Sequence, residues 1–264
     1  LSEDYNEREG IKVGEYYALI LLCTVGMIVL ASSTDMIMIF LGIEIVSICL
    51  YVLAGFKRDD PVSNEAALKY FLLGAFATGF LLYGMTLVYG ATGSTNLFKI
   101  ADYVKTEGAQ SNPLLLMGIV LLVIGLGFKV AAVPFHMWAP DVYHGSPTPV
   151  TAFMSVGPKA AAFAAFLRVF SEAIPDMAPS WEILLCVVAV LSMFVGNLGA
   201  IMQTNIKRML AFSSISHAGY LLIAVIAKSS LASSALLFYM LAYAFTTFGA
   251  FGIVILLGRK GQEN

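Results

Sequence analysis

Charge is what this sequence has least of. Only 12% of its 264 residues are Asp, Glu, Lys or Arg, about half the ~25% usual for a soluble domain. So few charges cannot cover a soluble surface of this size. No basic tract occurs and the net charge is −2, so no nucleic-acid partner is expected. Cysteine is equally scarce. Cys23, Cys49 and Cys186 all lie inside apolar runs without Cys-x-x-Cys spacing, and they read as small buried hydrophobes. Metal-cluster, haem and P-loop patterns are missing. Gly125-Leu126-Gly127 lies within an apolar run and reads as helix packing, not as the turn of a nucleotide site.

What remains is apolar: 59% of residues are hydrophobic and the mean hydropathy is +0.85. A bilayer core needs about 20 apolar residues of helix. Eight runs qualify, at residues 14–31, 36–55, 66–90, 114–133, 150–170, 181–202, 206–227 and 233–257. They are too long and too evenly apolar for barrel strands, and a lipid-exposed span must satisfy its backbone internally. The expectation is an all-α polytopic bundle of about eight spans, forming one transmembrane fragment over residues 1–264. The first residue is Leu1, and the polar, acidic opening is neither a signal peptide nor a span. The chain reads as a piece of a longer one.

The connections are short. Asp35 is placed to cap the second run, and 97–101 in the longest connection reads as a short surface helix. Eight spans put both ends on one side, with Arg8, Lys12, Lys57, Arg58, Lys207, Arg208, Arg259 and Lys260. The opposite side holds Lys99, Lys105, Arg168 and Lys228. The positive-inside rule makes the first side, and both ends of the fragment, cytoplasmic.

Two runs carry helix breakers: Pro134 ends the fourth, and Gly157-Pro158-Lys159 interrupts the fifth. Broken helices at membrane depth mark ion sites in many transporters. A weak repeat aligns 66–84 with 234–252, with identities at Ala67/Ala235, Leu68/Leu236, Leu73/Leu241, Thr78/Thr246, Phe80/Phe248 and Gly84/Gly252. The third and eighth runs then hold equivalent places in two repeats, a five-helix unit at 14–172 and a partial second at 181–257.

Three lysines, Lys69, Lys129 and Lys159, are left over once the loops take the rest. Glu44 lies near mid-span, where burying a carboxylate costs roughly 2.5–3.5 kcal/mol on insertion scales. It reads as a proton-relay or ion-coordinating group, against a structural carboxylate paired for packing. Lys129 lies one turn and a residue before Pro134. Removing water disfavours an ammonium and a nearby carboxylate restores it. At an effective dielectric near 20, a pair about 4 Å apart gains roughly 4 kcal/mol, enough to switch which charge state a desolvated lysine holds. A static ion pair is the alternative. Lys159, after Pro158, reads as a relay or as a stabiliser of the helix break. Lys69 is near its span's end and has Glu65 four residues back, so it is either on the path or in a surface pair. His136 and His217 suit a proton relay, or are buried histidines with ordinary hydrogen bonds. His144 reads as structural, and Asp141 as a channel-mouth carboxylate or a turn cap.

Two stretches carry a resemblance. Phe128-Lys129-Val-Ala-Ala-Val-Pro134-Phe-His136-Met-Trp-Ala-Pro140-Asp141-Val-Tyr-His-Gly-Ser-Pro147-Thr-Pro149-Val-Thr-Ala-Phe153 resembles a signature of the antiporter-like membrane subunits of respiratory complex I. Gln203-Thr-Asn-Ile-Lys207-Arg208-Met-Leu-Ala-Phe-Ser213-Ser-Ile-Ser-His217-Ala-Gly219-Tyr resembles a second. The resemblance covers nearly the whole chain. It implies about fourteen helices with two inverted five-helix repeats, of which this chain is similar to the fourth to eleventh. By resemblance Glu44 takes the place of the family's fifth-helix glutamate, and Lys129 that of the lysine on the broken seventh helix. Lys159 and Lys69 take those of lysines on the eighth and sixth, and His136 that of a histidine near the break. The family's ionisable residue on a broken twelfth helix has no counterpart here.

The resemblance implies a proton-translocating subunit of NADH:quinone oxidoreductase in the bacterial inner membrane, coupling quinone reduction to proton transport through the Glu/Lys relay. It implies no cofactor and no redox site in this chain. NADH, FMN, iron–sulfur clusters and quinone are expected on partner subunits, and neighbouring antiporter-like subunits and the lipid bilayer are the expected contacts. The alternatives are a monovalent cation/proton antiporter subunit, and a non-transporting scaffold subunit of a membrane-bound hydrogenase.

Overall fold

The computed structural model describes residues 2–11, 13–106 and 111–258. In order, its helices are α1 (Ser2–Glu9), α2 (Val13–Ser32), α3 (Met36–Ala54), α4 (Pro61–Thr92), α5 (Leu97–Thr106), α6 (Pro113–Lys129), α7 (Trp138–Gly145), α8 (Thr148–Leu167), α9 (Ala178–Ile201), α10 (Ile206–Ala227) and α11 (Ser230–Leu257). The all-α expectation holds. Lys12, Arg259 and Lys260 from the orientation argument lie outside the described residues.

Side-chain caps set several boundaries. Asp35 accepts from the Ile37 amide at 2.9 Å, as the sequence predicts, and also accepts the Thr95 hydroxyl at 2.7 Å. It thus fastens the α2–α3 turn to the start of α5. Asp60 accepts from the Val62 amide, and Pro61 occupies the first turn of α4. This cap starts α4 five residues before the apolar run does. Gly93, at φ +68°, ends it in the left-handed conformation. The surface helix α5 buries Leu97, Ile100, Ala101 and Val104 along one face.

Seven helices among the described residues are long and apolar enough to cross a bilayer, not eight. The exception is the fourth run. Its helix, α6, stops at Lys129 after 17 residues, about 25 Å of rise against the ~30 Å of a hydrocarbon core. Ala131 takes a left-handed φ of +57°, which no helix continues through, and Pro134 supplies no backbone donor. The chain turns irregularly and resumes as α7. The fifth run departs from expectation in the opposite sense. Its helix passes Gly157-Pro158-Lys159 unbroken and widens into a π-turn only at Arg168–Ala173. There Arg168 donates to the Ala31 carbonyl at 2.9 Å.

The helices pack chiefly as α2 on α3, α4 on α6 and α7, α9 on α10, and α8 against α2 and α11. Small residues permit the close approaches, as expected where lipid removes the hydrophobic drive between helices. A Cβ on Gly84 would lie 3.0 Å from the Gly118 carbonyl, and one on Gly125 would lie 2.5 Å from Leu81 Cβ. The Gly-x-Gly of α6 is therefore helix packing. At the N-terminus, Arg8 donates to the Gly258 carbonyl at 2.7 Å, joining α1 to the end of α11. Large apolar side chains such as Leu21, Ile28, Phe76 and Phe245 face outward, as in a protein solvated by lipid.

Gly125→Val should lower stability by about 1–3 kcal/mol through overpacking of α4 on α6. Gly79→Ala, which meets nothing within 4 Å, should change it by less than about 1 kcal/mol. Thermal unfolding of the complete protein in detergent checks both, and equal effects would contradict this packing.

Candidate functional site

The site begins on one face of α3, where Glu44, Ser47 and Tyr51 recur at helical spacing. Glu44 is half-buried, and its Oε1 accepts the Thr78 hydroxyl of α4 at 2.9 Å. Lys129, the last residue of α6, reaches the same face. Its Nζ donates to Ser47 Oγ at 2.8 Å, while that hydroxyl donates to the Ile43 carbonyl at 2.5 Å. Glu44 and Lys129 therefore meet on adjacent positions of one helix turn, with a hydroxyl and not an ion pair holding the lysine.

The break after Lys129 is satisfied by its surroundings. The Ala132 amide donates to the Gly127 carbonyl at 2.9 Å, the Val133 amide to Ser192 Oγ of α9 at 2.9 Å, and Trp138 Nε1 to the Phe128 carbonyl at 3.1 Å. Trp138 also stacks on Tyr70 of α4, with ring centroids 4.5 Å apart. The irregular backbone is thus held among protein groups, as membrane depth requires. His136 is half-buried within this turn, and no hydrogen bond joins it to Glu44, Lys129 or Lys159 among the described residues.

Lys159 forms a second centre, only 2% exposed. Its ammonium donates to the Ser214 carbonyl at 2.7 Å and to Ser214 Oγ at 2.5 Å. Tyr243 of α11 donates to the same Oγ at 2.8 Å. His217 lies one turn along α10, its Nδ1 2.5 Å from the Tyr239 hydroxyl and its ring 4.9 Å from that of Tyr243. Tyr243 thus links the two, sharing the Ser214 hydroxyl with Lys159 and packing its ring on His217, apart from the centre at Lys129.

Lys69 belongs to a third cluster at the polar rim. It contacts Glu65 at 2.6 Å and Asp141 of α7 at 2.7 Å, while Asp141 meets Arg208 of α10 at 2.5 Å. The carboxylate of Asp141 ties α4, α7 and α10 together. Partial burial pushes its acidity toward the neutral form, but hydrogen bonds from Lys69 and Arg208 outweigh this and hold it below the usual carboxylate range.

The sequence reading missed several groups. Ser47, Thr78, Ser214 and Tyr243 carry the contacts above, yet a serine or threonine in an apolar helix commonly bonds its own backbone and so gives little signal. Lys207, counted with the loop cations, is instead 3% exposed and donates to the Ser146 carbonyl at the end of α7 at 2.7 Å. It sits in the first turn of α10, where its stem reaches inward and its charge favours the carbonyl end of the neighbouring helix.

Because Asp141 is held in its charged form, its contribution is complete above the ordinary carboxylate range and lost only as pH falls through the lowered value. Asp141→Asn should lower the melting temperature at pH 7, and the gap from the unmodified protein should persist on acidification to about pH 4. Melting curves at stepped pH test this, and a gap that closed between neutral pH and pH 6 would contradict it.

The geometry can be set beside known proteins. Residues 33–264 match the NADH:quinone oxidoreductase/Mrp antiporter transmembrane family. NADH-quinone oxidoreductase subunit N of Trichlorobacter lovleyi is 56% identical over 264 residues, covering 100% of this chain and 54% of that protein. In the structure of respiratory complex I from Thermus thermophilus with bound aureothin, one chain matches at TM-score 0.78 and 45% identity, over 91% of this chain and 51% of that one. A chain of an archaeal membrane-bound sulfane sulfur reductase matches at TM-score 0.81 and 29% identity, over 91% and 49%. The chain spans about half the length of the curated relatives it matches. With the signatures, the helical architecture and these matches in agreement, the chain belongs to the NADH:quinone oxidoreductase/Mrp antiporter transmembrane family.

Proposed function

We propose that the chain is part of subunit N of a bacterial NADH:quinone oxidoreductase and that Glu44, Lys129 and Lys159 belong to its proton path. The observation that carries this reading is Lys129 on Ser47, one helix turn from Glu44. Positions three apart on a helix lie about 5–6 Å apart. A rotamer change is therefore enough to take the ammonium from the hydroxyl to the carboxylate. In the first position the lysine has a neutral acceptor, and in the second it gains a counter-charge that stabilises its protonated form. Motion of α3 against the break at Val130 would shift the balance, loading and unloading a proton without a redox group in this chain. Lys159 is the onward site, while Lys69, His136 and His217 are the peripheral members of the relay.

In this reading NADH, FMN, iron–sulfur clusters and quinone reside on partner subunits. Neighbouring antiporter-like subunits share the membrane with the chain. Residues 14–172 form the first five-helix repeat and 181–257 the opening of the second. The excess of Lys and Arg on one side supports the bacterial inner membrane with both ends cytoplasmic. The family also includes Mrp antiporters, so a monovalent cation/proton antiporter subunit is the second reading. Sodium flux without NADH or quinone would favour it.

Lys129→Met in the assembled complex should lower NADH-driven proton transport into vesicles by about tenfold or more, and Glu44→Gln should act in the same direction. Near-normal transport by Lys129→Met, with the complex assembled, would sink the relay.

A further inference from the structure

Ser214 is a small side chain with a crowded hydroxyl. Its Oγ accepts from Lys159 Nζ of α8 and from the Tyr243 hydroxyl of α11. A serine oxygen has two acceptor positions and one proton, so both positions are filled. A further described neighbour is the Tyr143 hydroxyl of α7, at 3.4 Å, a contact in which either oxygen can donate. All four residues are buried: Tyr143 is 0%, Lys159 2%, Ser214 2% and Tyr243 7% exposed. One oxygen atom on α10 therefore sets the direction of polar groups from three other helices.

Tyr243 has a second neighbourhood. Together with Ser213, His217, Tyr239, Thr246 and Thr247 it lines a cavity of about 260 Å³ between α10 and α11. Leu210, Ala242 and Ala250 complete its lining, so the wall is mostly apolar and the hydroxyl and imidazole groups form its polar part. Tyr239 bonds His217 across it. The Lys159 centre meets this groove through Tyr243, which donates to Ser214 Oγ on one side and lines the groove on the other.

We infer that Ser214 and Tyr243 are positioning residues that fix the direction of the Lys159 ammonium on the side of α10 and α11. The inference rests on the relay reading of Lys159. Its physical basis is the high cost of a buried ammonium lacking acceptors. With the Ser214 hydroxyl gone, one lysine N–H loses its acceptor and Tyr243 loses its anchor, so both groups turn from their present directions. The Ser214 carbonyl remains to hold the lysine in the bundle, which separates aim from folding.

The test uses vesicles containing the assembled complex and compares proton transport for Ser214→Ala, Ser214→Thr, Tyr243→Phe and the Ser214→Ala/Tyr243→Phe double variant. Ser214→Ala should lower transport about tenfold, the rate equivalent of losing one hydrogen bond to a charged group. Ser214→Thr keeps the hydroxyl and should retain most of the activity. Tyr243→Phe should fall in the same direction, and the double variant should fall no further than Ser214→Ala, because both changes remove one shared contact. Unchanged transport in Ser214→Ala, equal losses in the Thr and Ala variants, or single losses that multiply in the double variant would overturn the inference. If the Ser214 variants fail to assemble, Tyr243→Phe, which keeps the ring, decides the matter, and normal transport overturns the proposal. Lys129→Met in the same vesicles separates the two levels: normal transport there removes the relay itself, whereas its loss beside normal Ser214→Ala removes only the positioning role.

Discussion

A lysine ammonium carries three N–H donors, and inside an apolar bundle each that lacks an acceptor is costly. The arrangement of this chain follows from how that demand is met. Lys129 ends on Ser47 Oγ, Lys159 on Ser214, and Lys207 on the Ser146 carbonyl. In each case a serine oxygen is an acceptor. A neutral acceptor satisfies the donor without adding a counter-charge. The carboxylate pairs lie instead toward the rim, at Asp141 with Lys69 and Arg208, where solvent weakens them.

The break after α6 answers a second demand, that each backbone donor at membrane depth finds a protein partner. Leaving the helix at Lys129 frees amides that α9 recovers through Ser192 and that the turn recovers through Gly127. The Trp138 indole then pins the new direction to the Phe128 carbonyl. Lys129 is consequently the last residue of a rigid rod, with its side chain projecting from a helix end and a short irregular hinge following it. Lys159 is placed differently, inside a continuous α8 whose partners approach from three sides.

Much of the architecture could be read from the sequence because one periodic signal, apolar length, dominates it. Asp35 as a cap, a short surface helix at 97–101 and Gly125 at a helix contact were all legible, since each is a local rule acting on nearby residues. The two proline predictions diverged because proline's effect depends on what surrounds it. Pro134 follows a left-handed Ala131 and the helix is already over, whereas Pro158 is carried by close packing of α8 against its neighbours, with Met27 of α2 directly over Gly157. Polar partners were the least legible. Ser214 lies 55 residues from Lys159, and no pattern in either segment announces that the two will meet. Lys207 looked like a loop charge because it stands beside Arg208 at the polar start of an apolar run, and only the fold shows that it turns inward.

The bond from Arg8 to the Gly258 carbonyl spans 250 residues, so during synthesis it can form only after residue 258 has emerged. Each earlier pair, α2 with α3 or α9 with α10, joins near neighbours in the chain and can assemble as it is inserted. The contact between α1 and α11 is of another kind, because its two partners lie far apart in the chain. Nonlocal contacts of this sort form slowly and late, and here one ties α1, a polar helix of 8 residues too short to cross the bilayer, to the end of α11.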